Sequence, residues 1–199
     1  MVKTLFLPGA SGSASFWKPL AVRAELDGIF FSWPGLGIEP PTAGIDSISD
    51  LVTMVAKEVT EPVSIIAQSM GGFVAIKLAL AFPDLVKSLV LAVTSGGVPV
   101  SDLGGIDWRS NYSAHFPQAA KWIADRVPDL SDQIQSIKVP TLLLWGDSDP
   151  ISPVAVGERL SALLPNARLR IFNGADHDLG QTHSESVAVE VKRHLLAAL

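Results

Sequence analysis

Cysteine is absent from the 199 residues, so disulfides, thiolate zinc sites and cysteine nucleophiles are all excluded. Basic charge is scarce as well: 15 Lys and Arg stand against 20 Asp and Glu, a net charge of -5. Without a basic cluster, nucleic acid is not an expected partner. Apolar runs are broken by a charge or a glycine before they reach membrane-spanning length. Met1 leads straight into a strand rather than a basic-then-apolar leader, so no membrane is expected and the cytoplasm is the expected location. Internal repeats, low-complexity tracts and an interdomain linker are missing too.

What remains, 48% hydrophobic and 18% charged residues, suits one well-cored domain over 1–199. Apolar runs and periodicity predict strands at Lys3–Leu7, Ile29–Trp33, Val63–Ala67, Ser88–Val93, Thr141–Trp145 and Arg168–Phe172. Helices are predicted at about Ser15–Glu25, Ser47–Val59, Met70–Phe82, Pro153–Leu164 and Glu185–Ala198. Alternation of this kind implies α/β architecture, a mostly parallel six-stranded sheet covered by helices on both faces. Residues of about 97–137 break the rhythm and read as an irregular insertion with one or two short helices. A long loop in a compact domain is often a lid.

Doubly wound sheets hold their ligands at the carboxyl ends of the strands, so the residues that follow each strand carry the most information. PGASGS follows the first, QSMGG the third, GDSDP the fifth and NGADHD the sixth. Three of these supply a serine, an aspartate pair and a histidine, in that chain order. Those are the parts acyl transfer needs: a nucleophile, an imidazole base and a carboxylate to orient it. Ser69 falls where a buried strand turns into a helix, a bend that tolerates only small neighbours, and Ala67, Gly71 and Gly72 meet that need. The alternative is that Ser69 only caps the helix. Asp147 and Asp149 both fit the acid position on this reading. Asp176, His177 and Asp178 would suit a metal only with a second histidine beside them, and none is paired there.

Taken together, these segments resemble the α/β-hydrolase family over nearly the whole chain. AQSMGG (67–72) is similar to the family's nucleophile elbow, with Ala67 where glycine is commonest. LLLWGDSDPISP (142–153) resembles the strand and acid turn, in which the carboxylate is the third residue after the glycine. That spacing implies Asp149 rather than Asp147. NGADHD (173–178) resembles the histidine loop and implies His177, with His183 a capping or surface residue, His115 a solvated one and His194 structural. LFLPGASGSASFW (5–17) matches the oxyanion segment, although Pro8 stands where a histidine usually precedes the glycine, and WPGLG (33–37) resembles the loop after the next strand.

The family's usual N-terminal hairpin is not expected, because only Met1 and Val2 precede the first strand. The resemblance implies a serine hydrolase acting on a small ester or thioester, with Ser69, Asp149 and His177 as the triad and the backbone N–H groups of Ala10 and Met70 as the oxyanion donors. No metal and no organic cofactor is implied. Trp108, Tyr112 and Phe116 of the insertion are candidates for a substrate pocket, packing of the insertion onto the sheet being the alternative. A monomer or a homodimer is expected, the second strand offering an edge that could pair.

Neighbouring readings remain. Lactones and carbon–carbon bonds yield to the same machinery, and a non-catalytic receptor can keep the whole fold. PGASGS also resembles the glycine turn of NAD(P)-binding short-chain dehydrogenases. However, Ser15 replaces the third glycine, no acid ends the second strand, and Phe116 stands where a lysine would follow Tyr112.

Overall fold

The computed structural model describes residues 2–198. Six strands, β1 (Lys3–Leu7), β2 (Gly28–Phe30), β3 (Val63–Gln68), β4 (Val86–Ala92), β5 (Thr141–Gly146) and β6 (Ala167–Phe172), form one sheet in the order β2-β1-β3-β4-β5-β6. Every pairing is parallel. The order reverses between β1 and β3, which places the loops after these two strands on either side of a crevice. β3 and β5 are buried at every position, as expected of central parallel strands covered on both faces.

Helices α1 (Lys18–Ala24), α7 (Leu179–Thr182) and α8 (Ser184–Ala197) pack together, and α2 (Ile48–Ala56), α3 (Met70–Ala81) and α5 (Ser131–Ile134) form a second group. Helix α6 (Val154–Leu163) packs on β5 and β6. Three indoles are fully buried, and each donates to a backbone carbonyl: Trp17 to Leu7 (2.9 Å), Trp33 to Pro8 (2.8 Å) and Trp145 to Ser152 (2.9 Å). A buried indole N–H needs such a partner. Here the acceptors are the last residue of β1, the residue after it and a residue of the loop after β5, so core packing and loop placement are one event.

Several element ends differ from expectation, β4 running Val86–Ala92 and α2 ending at Ala56, and two of the differences have a visible cause. The second strand is shorter and earlier than Ile29–Trp33. Phe31 N–H still donates to Phe6, but Trp33 N–H turns to Gly12 (2.9 Å) and its indole to Pro8, so the chain leaves the sheet there. The first helix starts at Lys18 rather than Ser15, because Ser13 to Trp17 form turns and Pro19 occupies the first turn of α1, where a missing N–H costs nothing.

Between β4 and β5 the irregular segment contains α4 (Arg109–His115), a 3₁₀ turn (Lys121–Ala124) and α5. It is tied to the loop after β2 through Ala120 N–H to Gly35 (2.8 Å), and to the loop after β5 through Ile106 N–H to Pro150 (2.9 Å). Among the described residues no helix is long and apolar enough to cross a membrane.

Candidate active site

Ser69 joins β3 to α3 with φ 51° and ψ -120°. This conformation costs an L-residue on the order of 1–3 kcal/mol and persists only where the surroundings enforce it. Enforcement comes from both sides: Ser69 N–H donates to Ala92 at the end of β4, and Gly71 lets α3 lie directly against β1. A Cβ at Gly71 would stand 2.4 Å from the Pro8 carbonyl oxygen. Ser69 is the residue before the first turn of α3, yet its side chain makes no capping hydrogen bond. The capping alternative therefore fails, and the hydroxyl is committed elsewhere.

Its partner is His177, whose Nε2 lies 3.0 Å from Ser69 Oγ. On the other side of the ring, Nδ1 lies 2.7 Å from Asp149 Oδ2. The second carboxylate oxygen of Asp149 accepts from Ile151 N–H (2.8 Å) and Ser152 N–H (3.0 Å). With its side chain wholly buried and both oxygens engaged, Asp149 is a charge-assisted acceptor in a fixed direction. It holds the proton on Nδ1 and leaves Nε2 as acceptor toward Ser69. Asp147 is exposed and accepts instead from Gly174 N–H (2.7 Å), bracing the turn that delivers the histidine loop.

Sequence reasoning passed over Gln68. It is buried, and its amide donates to the His177 backbone carbonyl (3.1 Å) from the residue directly before the serine. A long polar side chain at the end of a wholly buried central strand was the available signal.

The segment after β1 comes close to Ser69, since a Cβ at Gly9 would be 3.2 Å from Ser69 Cβ. Gly12 N–H donates to Gly9 (3.0 Å), closing a tight turn around Ala10. The N–H groups of Ala10 and Met70 meet no acceptor among the described residues; that of Met70 opens helix α3, where backbone donors have no partner within the helix.

Of the three aromatic candidates, Trp108, Tyr112 and Phe116 are half-buried along one side of α4. The Tyr112 ring meets Trp108 edge-on (5.5 Å) and Phe116 at a tilt (5.0 Å). The Tyr112 hydroxyl is already engaged with backbone groups of Ala10 and Gly37.

Other histidines stand apart: His115 is exposed, His183 Nδ1 lies 3.0 Å from Thr182 Oγ1, and His194 is buried on α8. Burial pushes the Asp178 carboxyl up from its ordinary value; His177 pulls it back, and the charges of Asp176 and Asp149 add to the rise. Among the described residues no group of three His, Asp or Glu side chains is placed to hold a metal ion.

A parallel sheet of this order, with a strained serine, a histidine and a buried aspartate on three of its loops, defines a class that comparison with known proteins identifies. The family model described as "Alpha/beta hydrolase family" matches residues 4–120, and that described as "alpha/beta hydrolase fold" matches 97–183. The chain belongs to the α/β-hydrolase family. It is 29% identical to a 2-hydroxy-6-oxononadienedioate/2-hydroxy-6-oxononatrienedioate hydrolase of Cupriavidus pinatubonensis, over 90% of this chain and 80% of that one. With a pimeloyl-[acyl-carrier protein] methyl ester esterase of Neisseria meningitidis it shares 26% identity, over 94% of this chain and 79% of the other. In fold it is similar to a thermophilic esterase from Thermogutta terrifontis, with a TM-score of 0.82 at 19% identity, covering 100% of this chain and 90% of that structure.

Proposed function

We propose that this chain hydrolyses a small carboxylic ester or thioester through an acyl-enzyme formed on Ser69. The observation that carries the reading is the unbroken hydrogen-bond chain from Ser69 through His177 to the buried Asp149. His177 Nε2 takes the hydroxyl proton as Ser69 Oγ attacks the carbonyl carbon. Asp149 stabilises the imidazolium that forms. The carbonyl oxygen becomes an oxyanion facing the N–H groups of Met70 and Ala10, each such donor being worth about 10²–10³ in turnover. The tetrahedral intermediate collapses, His177 returns the proton to the leaving alcohol or thiol, and water repeats the cycle to free the acid.

Hydrolysis of a carbon–carbon bond is a second reading, favoured by relatives whose names place them in that reaction.

A fluorophosphonate probe tests the mechanism. Labelling of the natural protein and none of Ser69→Ala is expected. A folded natural protein that stays unlabelled points to a non-catalytic receptor instead. A panel of p-nitrophenyl esters and acyl-CoA thioesters of increasing chain length then separates ester from thioester and measures the acyl pocket.

A further inference from the structure

Two loops flank the nucleophile on its β1 side, residues 8–15 after β1 and residues 33–41 after β2, and they meet backbone to backbone. Gly37 has φ 57°, and a Cβ there would lie 1.9 Å from the Ser11 carbonyl oxygen. Only glycine allows so close a seam. Within the seam the Ala10 carbonyl and the Gly37 N–H both meet one atom, the phenol oxygen of Tyr112. The hydroxyl donates to Ala10 O (2.8 Å) and accepts from Gly37 N–H (2.9 Å), reaching across 102 and 75 residues of sequence.

We infer that Tyr112 is a positioning residue that fixes the Ala10 donor for the oxyanion, an inference that rests on the serine-hydrolase reading. The Ala10 N–H belongs to the Gly9–Ala10 peptide plane, whose carbonyl accepts from Gly12 N–H. The following plane, Ala10–Ser11, presents its carbonyl to Tyr112. Holding both planes fixes the Ala10 Cα between them, and so the direction of the N–H. Oxyanion stabilisation depends on that direction, because a donor is effective only about 2.7–3.1 Å from where the charge develops.

Tyr112 itself is braced. Trp108 and Phe116, the residues flanking α4, lie four residues before and after it and contact its ring from both sides, as side chains at that spacing do. Burial pushes its phenol up from the ordinary 10.0, the Gly37 hydrogen bond working against the rise, so the hydroxyl keeps its proton and remains a donor at neutral pH. The role differs from the pocket-lining one its aromatic neighbours suggest: the ring is a strut and the oxygen is the contact.

Tyr112→Phe keeps the ring and removes only the oxygen. The expected result is kcat lower by roughly 10- to 100-fold, a fraction of the loss that deleting an oxyanion donor causes, with KM unchanged. Affinity for phenylboronic acid, which forms a tetrahedral anion on an active serine, should fall in parallel, and amide exchange over residues 9–13 and 35–40 should quicken. Unchanged kcat and boronate affinity would overturn the inference while leaving the serine hydrolase intact. Loss of kcat, KM and thermal stability together would also overturn it, since that marks a merely structural residue. A natural protein that neither turns over esters nor labels with fluorophosphonate overturns the function and this role with it.

Should the Phe variant not fold, the chain's single tyrosine can be replaced biosynthetically by 3-fluorotyrosine. That residue keeps the hydroxyl but makes it more acidic. The alkaline fall of kcat then moves to lower pH if an ionised phenol releases Ala10, and stays in place if the ring alone matters.

Discussion

Asp147 and Asp149 sit two residues apart on one turn and serve different partners, the first exposed and bonded to the Gly174 N–H, the second buried and bonded to His177. Asparagine at each position separates their contributions. At 149 the amide can present its N–H₂ to the ring and favour the wrong tautomer, so kcat is expected to fall by about 10³–10⁴. At 147 the amide oxygen still accepts from Gly174, and kcat should stay within a few-fold. Initial rates on a p-nitrophenyl ester decide between them. Equal losses would mean that the two carboxylates act as a unit.

Gln68 connects the nucleophile's own strand to the histidine loop. Gln68→Leu keeps the bulk and removes the donor to the His177 carbonyl. The expected cost is about 1 kcal/mol of stability. The loss in kcat should be larger in proportion, up to about 10² if the imidazole shifts by about 1 Å. A thermal melt run beside the kinetics shows whether placement or stability dominates.

Gly71→Ala tests the elbow from beneath. Its Cβ would meet the Pro8 and Leu7 carbonyl oxygens at 2.4 and 2.8 Å, and backbone cannot give way as a flexible side chain can. Overpacking of this kind costs roughly 1–3 kcal/mol, which lowers Tm by about 2–4 °C per kcal/mol at this chain length. Activity should fall as well, because Pro8 directly precedes the Gly9–Ala10 turn.

His194 confers an acid-side instability. Its Nε2 is buried without a hydrogen-bond partner. Burial holds its imidazole below the ordinary 6.5, backbone groups of Leu89 opposing, the charge of Arg168 adding to the effect and Pro140 opposing it again. A folded value below the unfolded one means that folding favours the neutral ring. Its contribution is therefore complete above about pH 6.5 and declines as the pH falls from there toward the folded value. Thermal melts from about pH 7.5 down to about pH 5 should show a steeper loss for the natural protein than for His194→Leu. Parallel curves would remove His194 as the cause.

The sheet and the three loops that meet over it are legible in the sequence because each signal is local. Val63–Ala67 is a short, largely apolar run, the bend at Ser69 needs small neighbours, and the aspartate and histidine turns end strands that announce themselves. Ends of elements were less legible, since Trp33 leaves the sheet to satisfy its indole and its N–H at Pro8 and Gly12, a tertiary demand that no window of residues contains. Helix α7 was missed for a similar reason. Its four residues include Gly180, which disfavours a helix, and the glycine is required where α7 lies against Trp17, since a Cβ would be 2.7 Å from the ring. Nothing in the spacing of Trp108, Tyr112 and Phe116 shows that one hydroxyl among them reaches two loops 102 and 75 residues away.

The order of the loops along the polypeptide has a consequence for synthesis. Residue 69 emerges early, and its imidazole follows 108 positions later, after the outermost strand has been laid beside β5. Under the proposed mechanism the serine is until then an ordinary alcohol with no base to activate it. On the proposed triad, a nascent or prematurely ended chain short of residue 177 is expected to be chemically quiet toward the esters around it, and hydrolytic power to arrive only when the loop after β6 joins the sheet's rim.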